Sequence, residues 1–297
     1  MGSMFDSTQI KSGAIVSADK ARAVIAAAGG VLLDWDGCAA VGNRPTPEAL
    51  AFIQRHAAKL AIVSNNSTLL PEDITGILSE AGVTFPAARV FLAGVEGLTY
   101  FSRVMGGRTL VVASPRMKAL ARRVGITMVQ AEADVVVLLR DTRFSYAKLE
   151  RVVCSLMGGA RLVVANPDMT HPGVNGKIVP ETGALLAAIG ACVDLSRIDI
   201  QFIGKPSPFL FESACAALKI PPESAVMIGD NAETDMEGAR RMGMPGILVS
   251  PGSKLSFAQL LKTQARTPAE EGDVVLEDTS RKFVRPSSRF HSVGRRN

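Results

Sequence analysis

The stretch Val31-Leu32-Leu33-Asp34-Trp35-Asp36-Gly37 decides the fold of this chain of 297 residues. Its three apolar residues predict a buried strand, and two carboxylates follow where the strand ends. Parallel α/β sheets place their chemistry at the carboxyl ends of their strands. On an extended backbone Asp34 and Asp36 lie on one face and Trp35 on the other, and Gly37 predicts an immediate turn. These residues alone are equally compatible with an Asp-rich turn that binds nothing.

The composition predicts a folded protein with a sizeable core, because 47% of the residues are hydrophobic and 21% are charged. The four cysteines form no CxxC pair, which argues against a zinc or disulfide framework and indicates reduced thiols in the cytoplasm. No apolar run approaches the ~20 residues of a membrane span, and the amino terminus lacks a signal-peptide core. We therefore expect a cytoplasmic protein that does not enter a membrane.

The positive charge of the chain is concentrated near its carboxy terminus. The net charge is +5, and residues 282–297 hold five Lys or Arg and no acid. Phe283, Phe290 and His291 lie among these cations, a pattern that superficially suits RNA. A solvated, disordered tail is the favoured interpretation, so we expect no nucleic-acid partner.

Hydrophobic periodicity predicts alternating strands and helices that fall into three blocks. In the first block we expect strands over 31–33, 60–63 and 90–93 and helices over 18–28, 47–58, 71–81 and 95–105. In the middle block we expect strands over 109–113, 135–139, 161–165 and 178–180 and helices over 114–124, 145–157 and 181–193. In the last block we expect strands over 200–203, 225–228, 246–249 and 270–277 and helices over 208–218, 233–242 and 257–264. The middle block carries its own βαβαβ alternation, so it predicts a small domain inserted into a larger one.

Four polar motifs follow predicted strands and suit a phosphate–metal site. They are Asp34-x-Asp36, Ser64-Asn65-Asn66, Lys205 in its Gly-Lys-Pro turn, and Gly229-Asp230 with Glu233 and Asp235 beyond it. Each motif alone is more often an ordinary turn or helix start. Because the carboxyl ends of parallel strands meet at one edge, we expect the four to converge there.

The chemistry of phosphate transfer explains these residue types. A carboxylate such as Asp34 can attack phosphorus and form an aspartyl-phosphate. Mg²⁺ takes a few carboxylates, here Asp34 and Asp230, and Lys205 adds a fixed positive charge. Ser64 and the backbone amides of Trp35, Asp36 and Asn65 can bind phosphoryl oxygens. Asp36 can protonate the leaving alkoxide and later activate water.

With these motifs the chain resembles the haloacid dehalogenase superfamily of phosphatases. The resemblance covers residues 31–252 and is strongest to the branch of NagD-type nucleotide, 4-nitrophenyl phosphate, phosphoglycolate and pyridoxal-phosphate phosphatases. The matching segments are Ser64-Asn65-Asn66-Ser67, Ala165-Asn166-Pro167-Asp168, Pro180-x-x-Gly183, Gly204-Lys205-Pro206-Ser207 and Gly229-Asp230-Asn231-x-x-Thr234-Asp235.

The resemblance implies an α/β fold with a Rossmann-like parallel sheet core and an inserted smaller α/β cap of the C2 type. It places the core at 1–105 and 189–265, the cap at 106–188 and a carboxy-terminal extension at 266–297. It implies Mg²⁺ held by Asp34, Asp230 and the backbone carbonyl of Asp36, with Asp235 and Asn231 in support. Asp34 is then the nucleophile and Asp36 the general acid/base, and Trp35, Ser64, Asn65 and Lys205 bind phosphate. A homodimer through the cap is a further expectation.

The chain departs from this branch directly after the first motif. Residues 38–41 are small where the branch usually carries a larger side chain, so the pocket is expected to be roomier or differently gated. Trp35 stands where a smaller apolar residue is commoner, and its ring is expected to pack beneath the site.

The substrate stays open at the level of sequence. Cap residues Asn166, Asp168, Met169, Thr170 and His171 are candidates for contacting the leaving group, although His171 is equally readable as a surface histidine. Pyridoxal phosphate, phosphoglycolate, a nucleotide and a sugar phosphate are all possible substrates. The second acid Asp36 argues against a carbon–halogen hydrolase, and the missing membrane spans argue against an ion pump. A binding or regulatory protein that retains the fold is the alternative of a different class.

Overall fold

A computed structural model of the chain describes residues 17–104, 106–173, 176–249 and 255–262. The strands are β1 Gly30–Leu33, β2 Ala40–Val41, β3 Arg44–Pro45, β4 Leu60–Ser64, β5 Val90–Leu92, β6 Thr109–Val112, β7 Val135–Leu138, β8 Arg161–Val164, β9 Thr170–Pro172, β10 Ile178–Pro180, β11 Ile200–Phe202, β12 Ala225–Gly229 and β13 Gly246–Leu248. The α-helices are α1 Ala18–Ala27, α2 Pro47–His56, α3 Pro71–Glu80, α4 Ala93–Val104, α5 Pro115–Arg123, α6 Tyr146–Met157, α7 Thr182–Gly190, α8 Phe209–Leu218, α9 Glu237–Arg241 and α10 Phe257–Leu261. Short 3₁₀ turns lie at Ala57–Lys59, Ala87–Arg89, Leu195–Arg197 and Pro222–Ser224.

The first sheet is parallel throughout, with the strand order β13-β12-β1-β4-β5. All four residues of β1 and all five of β4 are buried, as expected of strands covered on both faces. This sheet confirms the predicted parallel α/β core. In this order, the ends of β12, β1 and β4 are adjacent, which brings three of the four motifs side by side.

The second sheet is also parallel, with the order β11-β8-β7-β6. Residues 200–203 were expected to resume the first α/β pattern, but β11 pairs with β8 instead. An apolar run identifies a strand without identifying its neighbour, because the pairing depends on residues far away in the chain. The turn that carries Lys205 therefore follows a strand of the second sheet. The limits of the core and cap stay a prediction.

Apolar side chains form clusters on both faces of each sheet. Val31 and Leu33 belong to the cluster on one face of the first sheet. Leu32 and Val63 project to the other face and share a cluster with Val137 of the second sheet. The alternation of a strand thus divides β1 between two layers.

The predicted helices and strands that fall within the described residues are present, with ends shifted by a few positions. Thr46 caps α2 as expected, since its hydroxyl accepts a hydrogen bond of 3.1 Å from the amide of Ala49. The predicted strand over 270–277 and the predicted disordered end lie outside the described residues. None of the helices within the described ranges is long and apolar enough to cross a membrane.

Two local features differ from the sequence-based expectation. The segment after Gly37 forms a small antiparallel hairpin, β2 with β3. The helix expected over 233–242 begins with a π-helical turn, Ala232–Met236, before α9. The side chain of Asn231 accepts hydrogen bonds from the amides of Glu233 and Thr234, which fixes the start of this wide turn.

Candidate active site

The candidate site lies at the carboxyl ends of β12, β1 and β4. Asp34 directly follows β1 and is 4% exposed, and its amide donates to the carbonyl of Ile228 on β12 at 2.9 Å. Asp230 follows β12, and Ser64 is the last residue of β4. The neighbouring strands therefore bring these side chains together as the motif spacing predicted.

Lys205 reaches this edge from the turn after β11 and is 1% exposed. Its ammonium lies 2.5 Å from Asp34 Oδ1 and 2.6 Å from Asp235 Oδ1, and it donates to the carbonyl of Val63 at 3.1 Å. Burial lowers the pKa of Lys205, but Asp235 and Asp34 outweigh burial, so the pKa stands above its usual range. Lys205 is thus a permanent cation between two carboxylates.

Three carboxylates crowd around this single ammonium. One oxygen each of Asp34, Asp230 and Asp235 lies within 4.8 Å of the others. Burial raises the pKa of Asp34 well above its usual range, and Asp235 and Asp230 add to this effect against Lys205. Burial and the charge of Asp235 raise the pKa of Asp230 to about 6. An oxygen-only donor set with surplus negative charge fits a hard divalent cation.

Two glycines allow these carboxylates to pack against the backbone. Gly37 has φ +91°, and a Cβ there would lie 2.5 Å from Asp230 Oδ2. A Cβ on Gly229 would lie 2.1 Å from Asp235 Oδ2. Any larger residue at either position would displace a carboxylate of the cluster.

Asp36 has a different environment from Asp34, although only one residue separates them. Its Oδ2 accepts hydrogen bonds from Ser64 Oγ at 2.7 Å and from Asn66 Nδ2 at 3.3 Å. The amide of Asn66 in turn donates to Ser64 Oγ at 3.0 Å. Asn66 belongs to the predicted Ser64-Asn65-Asn66 motif, which assigned it no individual role, and the contact with Asp36 supplies one.

Asn65, in the loop after β4, contacts both Lys205 and the loop after β8. Its Oδ1 accepts from the amide of Lys205 at 2.7 Å, and its Nδ2 donates to the carbonyl of Lys205 at 3.1 Å. The same Nδ2 lies 3.0 Å from Asp168 Oδ2. The side chain of Asn65 therefore holds the Lys205 backbone, in addition to the backbone role predicted for it.

The predicted cap residues separate into two groups. Asp168 and His171 face the site, and Asp36 is close enough for its charge to influence the pKa of both. Asn166 is 2% exposed, and its Oδ1 accepts from the amide of Asp168 at 2.7 Å, so it holds the loop. Met169 and Thr170 are exposed.

Sequence reasoning missed Arg140 and Glu181, which also face this region. Glu181 is 7% exposed and lies 2.7 Å from His171 Nδ1 and 3.4 Å from Arg140 Nη1. Burial raises the pKa of Glu181 to about 7, although Arg140 opposes this shift. An acid just before a helix is ordinarily a helix-start residue, so Glu181 carried no separate signal.

Three remaining residues of the predicted motifs lie at the margin of the site. Trp35 is fully buried, and its ring packs in the apolar cluster beneath the site, while its Nε1 donates to Asn43 Oδ1 at 3.4 Å. Asn231 supports Asp235, because its amide donates to Asp235 Oδ2 at 3.1 Å. Glu233 is exposed on the π-helical turn.

Comparison with known proteins identifies the family. The model of the family "Haloacid dehalogenase-like hydrolase" matches residues 31–127, and an HAD-hydrolase-like model matches residues 202–280. Chronophin of Rattus norvegicus is 30% identical over 270 residues, which is 86% of this chain and 85% of that protein. Dihydroxyacetone phosphatase of Corynebacterium glutamicum is 28% identical and covers 74% of this chain and 80% of its own length.

Solved structures agree with these relatives. The glycerol phosphate phosphatase Rv1692 from Mycobacterium tuberculosis, in complex with calcium, has a TM-score of 0.67 at 26% identity over 76% of this chain and 67% of that chain. NagD from E. coli K-12 strain has the same fold, with a TM-score of 0.67 at 24% identity over 80% of this chain and 94% of that chain. The chain therefore belongs to the haloacid dehalogenase-like hydrolase family, as an enzyme of its branch of NagD-like phosphatases.

Proposed function

We propose that this chain is a divalent-metal-dependent phosphomonoester hydrolase that acts through an aspartyl-phosphate on Asp34. The observation that carries this proposal is the division of labour between two acids in one turn. Asp34 is buried against Lys205 and beside Asp230, whereas Asp36 is hydrogen-bonded to Ser64 on the other side. A nucleophile and a proton carrier need such different surroundings.

The carboxylates of Asp34 and Asp230 and the backbone carbonyl of Asp36 would hold the cation, with Asp235 in support. When bound, a divalent cation neutralises the repulsion between the attacking carboxylate and the phosphate. Mg²⁺ is the proposed ion because every available donor is an oxygen. The relative Rv1692 supports this choice, since it has been solved in complexes with calcium and with magnesium.

In the first step a carboxylate oxygen of Asp34 bonds to phosphorus, and the bond from phosphorus to the ester oxygen breaks. The electron pair stays on the ester oxygen, and Asp36 donates the proton that makes it an alcohol. Lys205, Ser64 and the amides of Trp35, Asp36 and Asn65 bind the charged phosphoryl oxygens during the transfer. The hydrogen bonds described for the Asp36 carboxylate are both made by Oδ2 and fix the orientation of the group. Oδ1 is then the oxygen that carries the transferred proton.

In the second step water attacks phosphorus while Asp36 takes its proton. The bond from phosphorus to Asp34 breaks, and inorganic phosphate and the free carboxylate of Asp34 are released. The Lys205 ammonium favours the ionised form of Asp34 for the next turnover, against the opposing effects of burial, Asp235 and Asp230 on the pKa of that carboxylate.

We propose a small sugar or polyol phosphate as the substrate. Relatives of this chain are named dihydroxyacetone phosphatase, acid sugar phosphatase and D-glycerol 3-phosphate phosphatase. The acidic wall formed by Asp36, Asp168 and Glu181 also suits a neutral leaving group better than an anionic one. We therefore expect lower activity with phosphoglycolate and nucleotides than with sugar and polyol phosphates. Assembly as a homodimer through the cap and a cytoplasmic location remain proposals.

The test is a screen of phosphomonoesters with the full chain and Mg²⁺. We expect release of inorganic phosphate that stops in EDTA and is absent from Asp34→Asn. Glu48→Gln is the matched control, because Glu48 is an exposed acid on α2 outside the four motifs, and it should retain activity. Unchanged turnover by Asp34→Asn would refute the mechanism, and no hydrolysis of any ester would refute the function.

A further inference from the structure

Three charged or titratable side chains from separate segments meet beside Asp36. Arg140 follows β7, His171 lies in β9, and Glu181 precedes α7. Glu181 Oε1 contacts His171 Nδ1 at 2.7 Å and Arg140 Nη1 at 3.4 Å. Its Oε2 accepts from Asn166 Nδ2 and from the amide of Thr182, both at 3.3 Å. We call Arg140, His171 and Glu181 the cap cluster.

The cap cluster is tied to the catalytic loop. The amide of Arg140 donates to Ser67 Oγ at 3.0 Å, and the same hydroxyl lies 3.3 Å from Thr182 Oγ1. Ser67 is the last residue of the Ser-Asn-Asn-Ser motif that holds Asp36. The charge of Asp36 influences the pKa of both His171 and Glu181. The cluster therefore stands on the side of the site where Asp36 meets the leaving group.

Within the described part of the chain, two nitrogens of this cluster are buried without a hydrogen bond, Arg140 Nε and His171 Nδ1, although Nδ1 lies 2.7 Å from Glu181 Oε1. Arg140 Nε is buried and makes no hydrogen bond, whereas Nη1 of the same guanidinium faces Glu181. A buried N–H without a partner is destabilising, and such groups in native proteins call for an explanation such as a ligand. Ser67 holds the backbone of Arg140 and Glu181 holds its guanidinium, so the unpaired Nε–H has a fixed position in which it can donate to a ligand.

The surroundings of this N–H select the chemical class of its acceptor. Glu181 faces the same guanidinium at 3.4 Å, and the charges of Asp36 and Asp168 act on Glu181. A second anionic group on the substrate would therefore meet surplus negative charge beside Arg140. A hydroxyl can accept from Arg140 Nε and donate to a neighbouring carboxylate at the same time. A mixed wall of donors and acceptors fits a neutral polyhydroxylated group.

We propose, on the basis of the proposed function, that Arg140 and Glu181 form a hydroxyl-binding subsite for the leaving group, with Arg140 as the contact and Glu181 as the positioning residue. The substrates it selects are phosphomonoesters of small polyols or sugars that carry a free hydroxyl near the ester carbon. His171 shares Glu181 with Arg140 and closes the same side of the subsite.

The test compares two substrates in the full chain with Mg²⁺. Glycerol 3-phosphate offers one hydroxyl on the carbon next to the ester carbon and a second one carbon further away, and 4-nitrophenyl phosphate offers none. For Arg140→Met we expect kcat/KM for glycerol 3-phosphate to fall about tenfold to a hundredfold, the worth of a hydrogen bond to a charged donor. The value for 4-nitrophenyl phosphate should stay within about twofold. Arg143→Met removes an exposed cation three residues away and should change neither.

Glu181→Gln tests the positioning role through a pH profile. Ionisation of Glu181 near pH 7 strengthens its hold on Arg140 and its acceptance of a hydroxyl, so kcat/KM for glycerol 3-phosphate should rise through that pH. Arg140, His171, Asn166 and Thr182 contact Glu181, and Asp36 and Asp168 act on it through their charge. In Glu181→Gln that rise should disappear, while the profile with 4-nitrophenyl phosphate keeps its shape.

Several outcomes would overturn the subsite. Equal losses on both substrates would make Arg140 a general structural residue, and no loss on either would remove it from the site. A preference of wild type for a substrate with a carboxylate beside the ester, together with a loss of activity on that substrate in Arg140→Met, would be a different result. That result would make the subsite an anion-binding site. If Arg140→Met does not fold, Arg140→Lys keeps the charge, removes Nε–H and should show the same selective loss. Absence of hydrolysis of both esters by wild type would instead refute the proposed function.

Discussion

Replacing Lys205 by Met tests how the active-site charges are balanced. Lys205 is 1% exposed and lies 2.5 Å from Asp34 and 2.6 Å from Asp235. Removing one partner of a buried ion pair typically costs about 3–5 kcal/mol, because the other charge is left uncompensated. Here one ammonium compensates a cluster of three carboxylates, so we expect the free energy of unfolding of Lys205→Met to fall by about 3–5 kcal/mol. Met has nearly the same length, which limits any contribution from an empty space.

The assay is urea unfolding of the full chain in EDTA, with Lys20→Met as the control. Lys20 is exposed on α1, so its replacement should change the free energy of unfolding by no more than about 0.5 kcal/mol. Addition of Mg²⁺ should reduce the deficit of Lys205→Met, because a divalent cation compensates the same carboxylates. Turnover of Lys205→Met should fall about 10²–10³-fold or more. A Lys205→Met protein as stable in EDTA as Lys20→Met would refute this account of the site.

Three further predictions follow from the same geometry. Gly37→Ala and Gly82→Ala both place a side chain at positive φ, which costs about 1–2 kcal/mol, but only Gly37→Ala meets Asp230, so only it should also lose turnover at saturating Mg²⁺. Asp230→Asn should need a higher Mg²⁺ concentration for half-maximal activity; an unchanged requirement would exclude Asp230 as a metal ligand. The pKa of Glu181 is raised from 4.5 to about 7, so its effect on stability is fully favourable below pH 4.5 and is lost as pH rises through 7. Glu181→Gln should therefore remove a decline of about 3 kcal/mol between these pH values in urea melts, and an unaltered slope would contradict the buried-acid assignment.

The strand ends of the first sheet were readable from sequence because the relevant signals are local. Val31 to Leu33 is an uninterrupted apolar run, and its length and bounding residues mark a buried strand. Carboxylates directly after such a run must lie at the edge of the sheet where the strand ends. The adjacency of Asp34, Asp230 and Ser64 then follows from the rule that parallel strands end together.

The remainder depends on contacts that a local pattern does not encode. The strand before Lys205 is recognisable from Ile200 to Phe202, but its pairing with β8 is set by tertiary structure. The burial of Glu181 arises because Arg140, His171 and Asn166 surround it from three other segments. Each of these residues alone resembles an ordinary polar loop residue. The π-helical turn capped by Asn231 likewise stands where the sequence pattern looks like a regular helix start.

Trapping the phosphorylated enzyme tests the central claim most directly. The full chain is mixed with Mg²⁺ and 4-nitrophenyl phosphate, whose leaving group needs little help from Asp36 in the first step. The reaction is quenched in acid within the first turnover, and the protein is digested for mass spectrometry. We expect one phosphoryl group on the peptide that contains Asp34, with borohydride reduction assigning it to that residue, and a larger phosphorylated fraction in Asp36→Asn, whose second step is slowed. A phosphoryl group on another residue, or turnover without any adduct in both proteins, would contradict nucleophilic attack by Asp34.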